Sequence, residues 1–439
     1  MSGYRPFAAV VLAAGEGTRM RSEMPKVLHP LCGRPMVLHV VDALSELPLE
    51  RIVVVVGHEA ERVTKALQEQ ATQQVPIEFV EQREQRGTGD AVSAALTLFD
   101  DDEVEDDLMV LPSDHVLLLP ETLAALASAH RDADAAATVL TARVADPAGY
   151  GRVVRGKDDR VDRIVEHADA DAEIRAVDEV NTSVYCFRRN LLTPALRRLS
   201  PENAQGEYYL TDALEVLTEA GHKVIAVEAR DTAEALGVND RAQLADAEAV
   251  LRGRINGRWM RAGVTMVDPE RTYLDATVDL SADVRLLPGT VLEGRTTIGP
   301  GSVIGPDCRL VDTAVGVGAT VTYSVATDAE IGDGAVVGPW AHLRPGTRLG
   351  AGAKVGAFVE TKNAEIGEGA KLPHLSYVGD AEVGDGANIG AGTIVANYEG
   401  ATGTKSPTKV GKGATSTELL PVLAPLPTLV GLLVPVAPS

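Results

Sequence analysis

Beyond residue 263 the chain is written in units of six, marked by Ile298-Gly299, Ile304-Gly305, Ile331-Gly332, Val337-Gly338, Leu349-Gly350, Val355-Gly356, Ile366-Gly367, Val383-Gly384 and Ile389-Gly390. Units such as IGDGAV and VGDGAN place an aliphatic residue, a small residue and then often Ala, Ser or Thr in a fixed order. One unit this short cannot bury its aliphatic side chain, whereas stacked units can, so the period dictates a solenoid.

The first 240 residues follow another pattern. RIVVVVGH at 51 to 58 and DLMVLPSD at 107 to 114 read as buried strands, with helix-like segments between such runs. That alternation predicts a mostly parallel sheet covered on both faces, with ligands beyond the carboxyl ends of its strands. Gly15, Gly57 and Asp114 all fall at such ends, around one crevice. Residues 241 to 262 are rich in helix formers, and Leu244, Val250, Leu251, Ile255 and Trp259 recur at spacings that let one helical face pack.

A chain of 439 residues exceeds one ordinary core, and two domains are counted. The formal charge of −22 argues against nucleic acid or an anionic membrane as partner. Cys32, Cys186 and Cys308 are too few and too scattered for a disulfide framework or a metal knuckle. No cleavable signal pattern precedes the first strand, so a cytoplasmic location is expected.

The chemistry begins at residues 8 to 26, AAVVLAAGEGTRMRSEMPK. Ala8 to Ala14 suits a strand buried on both faces, and Gly15 and Gly17 let backbone N–H groups close on a ligand. Thr18, Arg19, Arg21 and Lys26 add a hydroxyl and cations, the makings of an anion site. The bland alternative is a glycine turn with solvated cations. The spacing fits neither the Walker loop nor the dinucleotide fingerprint.

LAAGEGTRM followed by Pro25-Lys26 resembles the signature of sugar-nucleotide pyrophosphorylases. Gln82 before Gly87-Thr88-Gly89, Asp114, Gly149-Tyr150-Gly151-Arg152, Ile164-Val165-Glu166, Glu179-Val180-Asn181, NAQGEYYLTD at 203 to 212 and Gly237-Val238-Asn239 follow in order. Together, from residue 8 to residue 400, the chain resembles the bifunctional N-acetylglucosamine-1-phosphate uridyltransferase/glucosamine-1-phosphate acetyltransferase family. The resemblance implies an α/β fold: a Rossmann-like nucleotidyltransferase domain, then a left-handed parallel β-helix of hexapeptide repeats with three hexads per coil. The expected bounds are 1–240 for uridyl transfer, 241–262 for a helical linker, 263–414 for the acetyltransferase and 415–439 for an atypical tail.

By the same resemblance, UTP and N-acetylglucosamine 1-phosphate give UDP-N-acetylglucosamine and pyrophosphate. Leu12, Ala13, Ala14 and Gly15 would hold the nucleotide, Arg19 and Lys26 would neutralise the triphosphate, and Asp114 with Asn239 would bind Mg²⁺. Gln82, Gly87 and Thr88 would face uracil, and Gly151, Glu166 and Asn181 the sugar, with Tyr150 left to packing. Some positions depart from the usual family pattern: Glu16, Arg86, Asp90, Ser113 and His115. These put the rate and the choice of nucleotide or sugar in question more than the reaction class.

In the repeats, Arg344 and Lys362 would bind the phosphate of glucosamine 1-phosphate, Tyr377 and Asn388 its sugar, and Ala391, Asn397 and Tyr398 acetyl-CoA. His374 would take the amine proton, a role suited to a base near pKa 6.5. A lone His in a turn is otherwise more often structural. The family's homotrimer, formed through the β-helix, is likewise implied.

After Gly400 only Val410-Gly411-Lys412-Gly413-Ala414 keeps a hexad, and the residues from Thr415 to Ser439 carry Glu418 as their sole charge. Leu419 to Ala437 approaches the roughly 20 apolar residues of a bilayer span. Pro421, Pro425, Pro427, Gly431 and Pro435 break it, so no membrane anchor is expected. The loss of register reads as a truncated or frame-shifted terminus, and acetyl transfer is expected to be weak or absent. The alternatives are a monofunctional sugar-1-phosphate nucleotidylyltransferase using its β-helix only to oligomerise, and a non-catalytic scaffold.

Overall fold

Phe7–Ala13 consists of small and β-branched residues because both of its faces are covered. Ala8 and Val10 join one apolar cluster with Val53, Leu108, Val92 and Ala95, while Ala9 and Val11 join another with Val54, Val41, Leu44 and Leu126. The computed structural model of the chain describes residues 7–71, 74–99, 106–156, 159–235, 237–399, 403–405 and 407–415, and divides into two compact units between Leu251 and Arg252.

In the first unit the sheet runs, edge to edge, Val224–Glu228, Ala137–Arg143, Glu179–Arg188, Asp107–Pro112, Phe7–Ala13, Arg51–Val56, Ile77–Glu81. Phe7–Ala13 pairs in parallel with both of its neighbours, and Glu179–Arg188 is the antiparallel member among these seven. Strand carboxyl ends at Ala13, Val56, Glu81 and Pro112 therefore open on one side, which brings the following loops together. An antiparallel pair, Arg152–Arg155 with Val161–Val165, extends from Glu179–Arg188.

The predicted helix exists as Arg241–Arg261. Its Leu244, Ala247, Val250 and Leu251 pack with Leu31, Met36, Val116, Leu117 and Val238 in the first unit. The contact boundary falls inside this helix, so it is built into the folded units and is more than a solvated connection.

In the second unit, short parallel strands stack about every 16 to 18 residues: Arg285↔Val303↔Thr320↔Val336↔Lys354↔Lys371 on one face. A second face carries Val291↔Arg309↔Val325↔His342↔Glu360↔Tyr377, and a third Ile298↔Val315↔Ile331↔Leu349↔Ile366↔Val383. This is the left-handed parallel β-helix of the hexapeptide grammar. The glycine after each inward aliphatic has a steric cause: a Cβ on Gly332 would lie 2.6 Å from Leu349 O, and one on Gly350 2.7 Å from Glu368 N. Coils approach too closely there for a side chain. After Val383 the chain completes a coil, projects the hairpin Tyr398–Glu399 with Thr404–Lys405, and rejoins at Thr408–Val410.

Because Leu343 is fully buried in a column of stacked coils, Leu343→Ala is expected to cost about 2–5 kcal/mol. Urea melts followed by hydrogen exchange in residues 320–380 check it, and exchange no faster than wild type contradicts it. Among the described residues no helix is long and apolar enough to cross a membrane. The apolar run called an atypical tail lies, from residue 416 onward, outside the described residues.

Candidate active sites

The crevice of the first unit is built from loops that leave the sheet on its carboxyl side. Gly17 sits in the left-handed region at φ +64°, and a Cβ there would lie 2.4 Å from Lys26 Cβ, so glycine is what allows Lys26 to fold back against the loop. The Lys26 ammonium then lies 2.5 Å from Asp114 Oδ2 and donates to Asn239 Oδ1 at 3.0 Å. Arg19 donates to the same Asn239 oxygen at 2.9 Å. Backbone N–H groups fix the two segments that carry these oxygens: Val238 N–H donates to Asp114 O at 3.1 Å, and Asn239 N–H to Gln243 Oε1 at 2.7 Å.

His115, a departure in the sequence, donates from Nδ1 to Asp114 Oδ1 at 2.9 Å. A Cβ on Gly237 would lie 2.9 Å from its ring, so Gly237 makes room for it. Burial would push the Asp114 carboxyl up; the His115 hydrogen bond and the Lys26 charge outweigh it and hold the carboxyl well below the usual range. Ser113, the other departure beside it, is buried and donates its N–H to Leu12 O at 3.1 Å.

Two oxygens, Asp114 Oδ2 and Asn239 Oδ1, thus converge on one cation, the Lys26 ammonium. A hard divalent ion takes one or two protein oxygens and completes its shell with phosphate and water, so this donor set fits such an ion. Among the described residues no cluster of three or more His, Cys, Asp or Glu offers a denser site.

Further along the crevice, Asn181 N–H donates to Gly151 O at 2.9 Å, and a Cβ on Gly151 would lie 3.3 Å from the Glu166 carboxylate. Gly151, Glu166 and Asn181 are therefore neighbours. Glu166 accepts from Thr211 Oγ1 at 3.2 Å, and its carboxyl is raised chiefly by burial. Tyr150 packs with Ala142 and Val180, and its hydroxyl is raised by burial and by the nearby Asp114 charge. On the opposite side Gln82 is buried, and Gln85 Nε2 donates to Ala14 O at 2.8 Å. Thr88 Oγ1 accepts from Leu210 N–H at 3.0 Å, and Gly89 N–H donates to Tyr208 O at 2.8 Å. These bonds stitch residues 206–212 to the start of helix Thr88–Leu96, a contact that no spacing in the sequence announces.

Asp212 follows Thr211 and is raised to about 6 by burial, with Glu215 and Asp169 adding to the rise. A carboxyl raised above its ordinary 3.8 favours the folded state when neutral. Its contribution is complete below that ordinary value and is lost as pH rises through about 6. Asp212→Asn should therefore raise the thermal midpoint at pH 7.5 relative to wild type and narrow the difference toward pH 4, as scans across that range would record. A constant difference contradicts this.

In the β-helix, Arg344 pairs with Glu360 at 2.8 Å, and Lys362 stands in register with Gly379 one coil on. The Tyr377 ring lies over Gly379, whose missing Cβ would be 2.4 Å from the phenolic oxygen. Asn397 Nδ2 donates to Gly379 O at 2.8 Å and Asp380 O at 2.9 Å. Arg344, Lys362, Tyr377 and Asn397 thus gather along one face. His374 ends the strand Lys371–His374 at the exposed corner before that face, and its ring has no hydrogen-bond partner among the described residues. Asn388 bridges Lys371 and Thr415 on the face before the corner, Ala391 is exposed at the corner itself, and the Tyr398 side chain lies outside the described residues.

The nucleotidyl transferase family matches residues 8–263, and the bacterial transferase hexapeptide family (six repeats) matches residues 328–363. The chain is 49% identical to a bifunctional protein GlmU of Brevibacillus brevis, over 94% of this chain and 88% of that one. It is 51% identical to the protein of that name from Streptomyces avermitilis (91% and 82%) and 48% identical to that of Mycolicibacterium vanbaalenii (93% and 82%). A nucleotidyl transferase match over the first half, a hexapeptide match in the second and near-full-length identity to these proteins place the chain in the bifunctional GlmU family.

Proposed function

We propose that the first unit transfers a uridylyl group from UTP to N-acetylglucosamine 1-phosphate, with Mg²⁺ as the divalent ion, and that the β-helix acetylates glucosamine 1-phosphate from acetyl-CoA. The chain is an enzyme with both transferase activities, as its family is. The observation that carries the first assignment is the convergence of Asp114 Oδ2 and Asn239 Oδ1 on the Lys26 ammonium, beside Arg19.

The attacking phosphate oxygen of the sugar is already anionic, so no base is needed; the barrier lies in bringing two anions together in line. Arg19 and Lys26 neutralise the triphosphate, and the backbone of Leu12 to Gly15 holds the nucleotide. Asp114 and Asn239 would hold the Mg²⁺, which when bound would supply neutralisation of phosphate charge. Lys26 exchanges its carboxylate partner for the phosphate of the arriving nucleotide. Gly151, Glu166 and Asn181 orient the sugar, so that its phosphate meets the α-phosphorus opposite the departing pyrophosphate.

On the β-helix, Arg344 and Lys362 take the sugar phosphate and Tyr377 and Asn388 the sugar ring. Ala391, Asn397 and Tyr398 meet acetyl-CoA. His374 accepts the amine proton as the nitrogen attacks the thioester carbonyl, and the thiolate leaves. One face of a β-helix offers only one wall, which supports the reading of a homotrimer in which a second copy supplies the other wall. The reactants are small and soluble, in keeping with a cytoplasmic location. Phosphorus NMR of a reaction with UTP, Mg²⁺ and N-acetylglucosamine 1-phosphate tests the first assignment: a diphosphate diester should appear with free pyrophosphate. Unchanged UTP in the presence of folded protein rules it out. Thiol release from acetyl-CoA tests the second; the expectation of a weakened acetyl transfer rests on residues outside the described ones.

A further inference from the structure

Gln82 follows the strand Ile77–Glu81, and its carboxamide is held at both sides of its nitrogen. Nε2 donates to Gly87 O at 3.1 Å and to Asp90 Oδ2 at 2.9 Å. A backbone carbonyl and a carboxylate only accept, so the nitrogen end of the carboxamide must occupy the space between them. Oε1 is left at the other end, with no donor among the described residues. Asp90 owes its place to the helix start: Gly87 at φ +107° turns the chain, and Asp90 falls in the first turn of Thr88–Leu96, where a negative side chain is favoured.

We infer that Asp90 is a specificity-determining positioning residue: by holding the Gln82 nitrogen it presents Oε1 to the nucleobase, and so selects a base with a ring N–H at that point. The inference rests on the uridylyl-transfer reading, in which Gln82 faces the base. Uracil carries hydrogen on N3, which can donate to Oε1. Cytosine carries a lone pair on the same atom, which would face the Oε1 lone pairs with no hydrogen between them. A carboxamide free to turn would serve either base by exposing oxygen to one and nitrogen to the other. An acceptor-only carboxylate removes that freedom, whereas an imidazole in its place could donate or accept.

The test compares kcat/KM for UTP and CTP with N-acetylglucosamine 1-phosphate and Mg²⁺, using the full chain and its Asp90→Ala, Asp90→Leu and Asp90→Asn variants, each checked by thermal melting. Asp90→Ala should lower the UTP:CTP ratio by about tenfold, carried mainly by the nucleotide KM, because one neutral hydrogen bond is at stake. Asp90→Leu also lacks an acceptor and should do the same, and it stands in if Asp90→Ala does not fold. Asp90→Asn offers an acceptor and a donor at the same place, so it frees the carboxamide to turn and should also lower the ratio, by less than Asp90→Ala. A wild-type ratio in Asp90→Ala or Asp90→Leu overturns the inference while leaving the uridylyl reading standing. Absence of UTP turnover by the folded wild-type chain overturns both.

Discussion

Lys26→Ala is expected to lower kcat for pyrophosphate release by about 10²–10³-fold, the usual effect of removing one preorganised charge stabiliser. The same variant should bind Mn²⁺ more tightly than wild type in the absence of nucleotide, because the ammonium occupies the position where Asp114 Oδ2 and Asn239 Oδ1 converge. The two effects have opposite signs, which separates this role from simple misfolding. In the ligand-free chain Lys26 is also the counterion of a largely buried carboxylate, and losing it should cost on the order of 3 kcal/mol of stability. His115 continues to donate to Asp114 in the variant and limits that cost. Steady-state kinetics, Mn²⁺ titration by electron paramagnetic resonance and thermal melting read the three quantities. Unchanged pyrophosphate release would remove Lys26 from the mechanism.

For the β-helix, His374→Ala should lower kcat of thiol release from acetyl-CoA by about 10²–10⁴-fold, the range for loss of a general base. The argument is one of protonation state: an ammonium has no lone pair to attack a thioester, and the proton has to leave as the bond forms. His374 stands exposed at a corner and its ring has no hydrogen bond among the described residues, so its removal leaves no buried group unsatisfied among them. The variant should therefore melt with wild type and retain full pyrophosphate release. Thiol release by the variant equal to a wild-type rate above background would assign the base elsewhere.

Much of this architecture was legible because the physics behind it is periodic. A hexad that puts glycine after each inward aliphatic can only be a close-packed stack, and the steric conflict a Cβ would create at Gly332 and Gly350 gives that pattern its cause. Alternation of apolar runs and helical segments likewise located the carboxyl ends of the strands, where Gly15, Gly57 and Asp114 indeed stand. Contacts between residues distant in sequence were not legible. The bond from Leu210 to Thr88 and the orientation that Asp90 imposes on Gln82 depend on three-dimensional placement. His115 shows the limit well. In the sequence it was a departure that put substrate choice in question; in the fold it is a donor to Asp114, seated against Gly237. The helix Arg241–Arg261 was readable from its apolar spacing, but the division of its residues between two units was not.

The central claim is that the first unit is a metal-dependent uridylyltransferase acting through the Lys26, Asp114 and Asn239 cluster. Pyrophosphate release by the full chain, measured with UTP, N-acetylglucosamine 1-phosphate and Mg²⁺, tests it most directly. The predicted result is release that requires both substrates and stops when the metal is chelated. Release that persists in chelator, or none from folded protein, contradicts it.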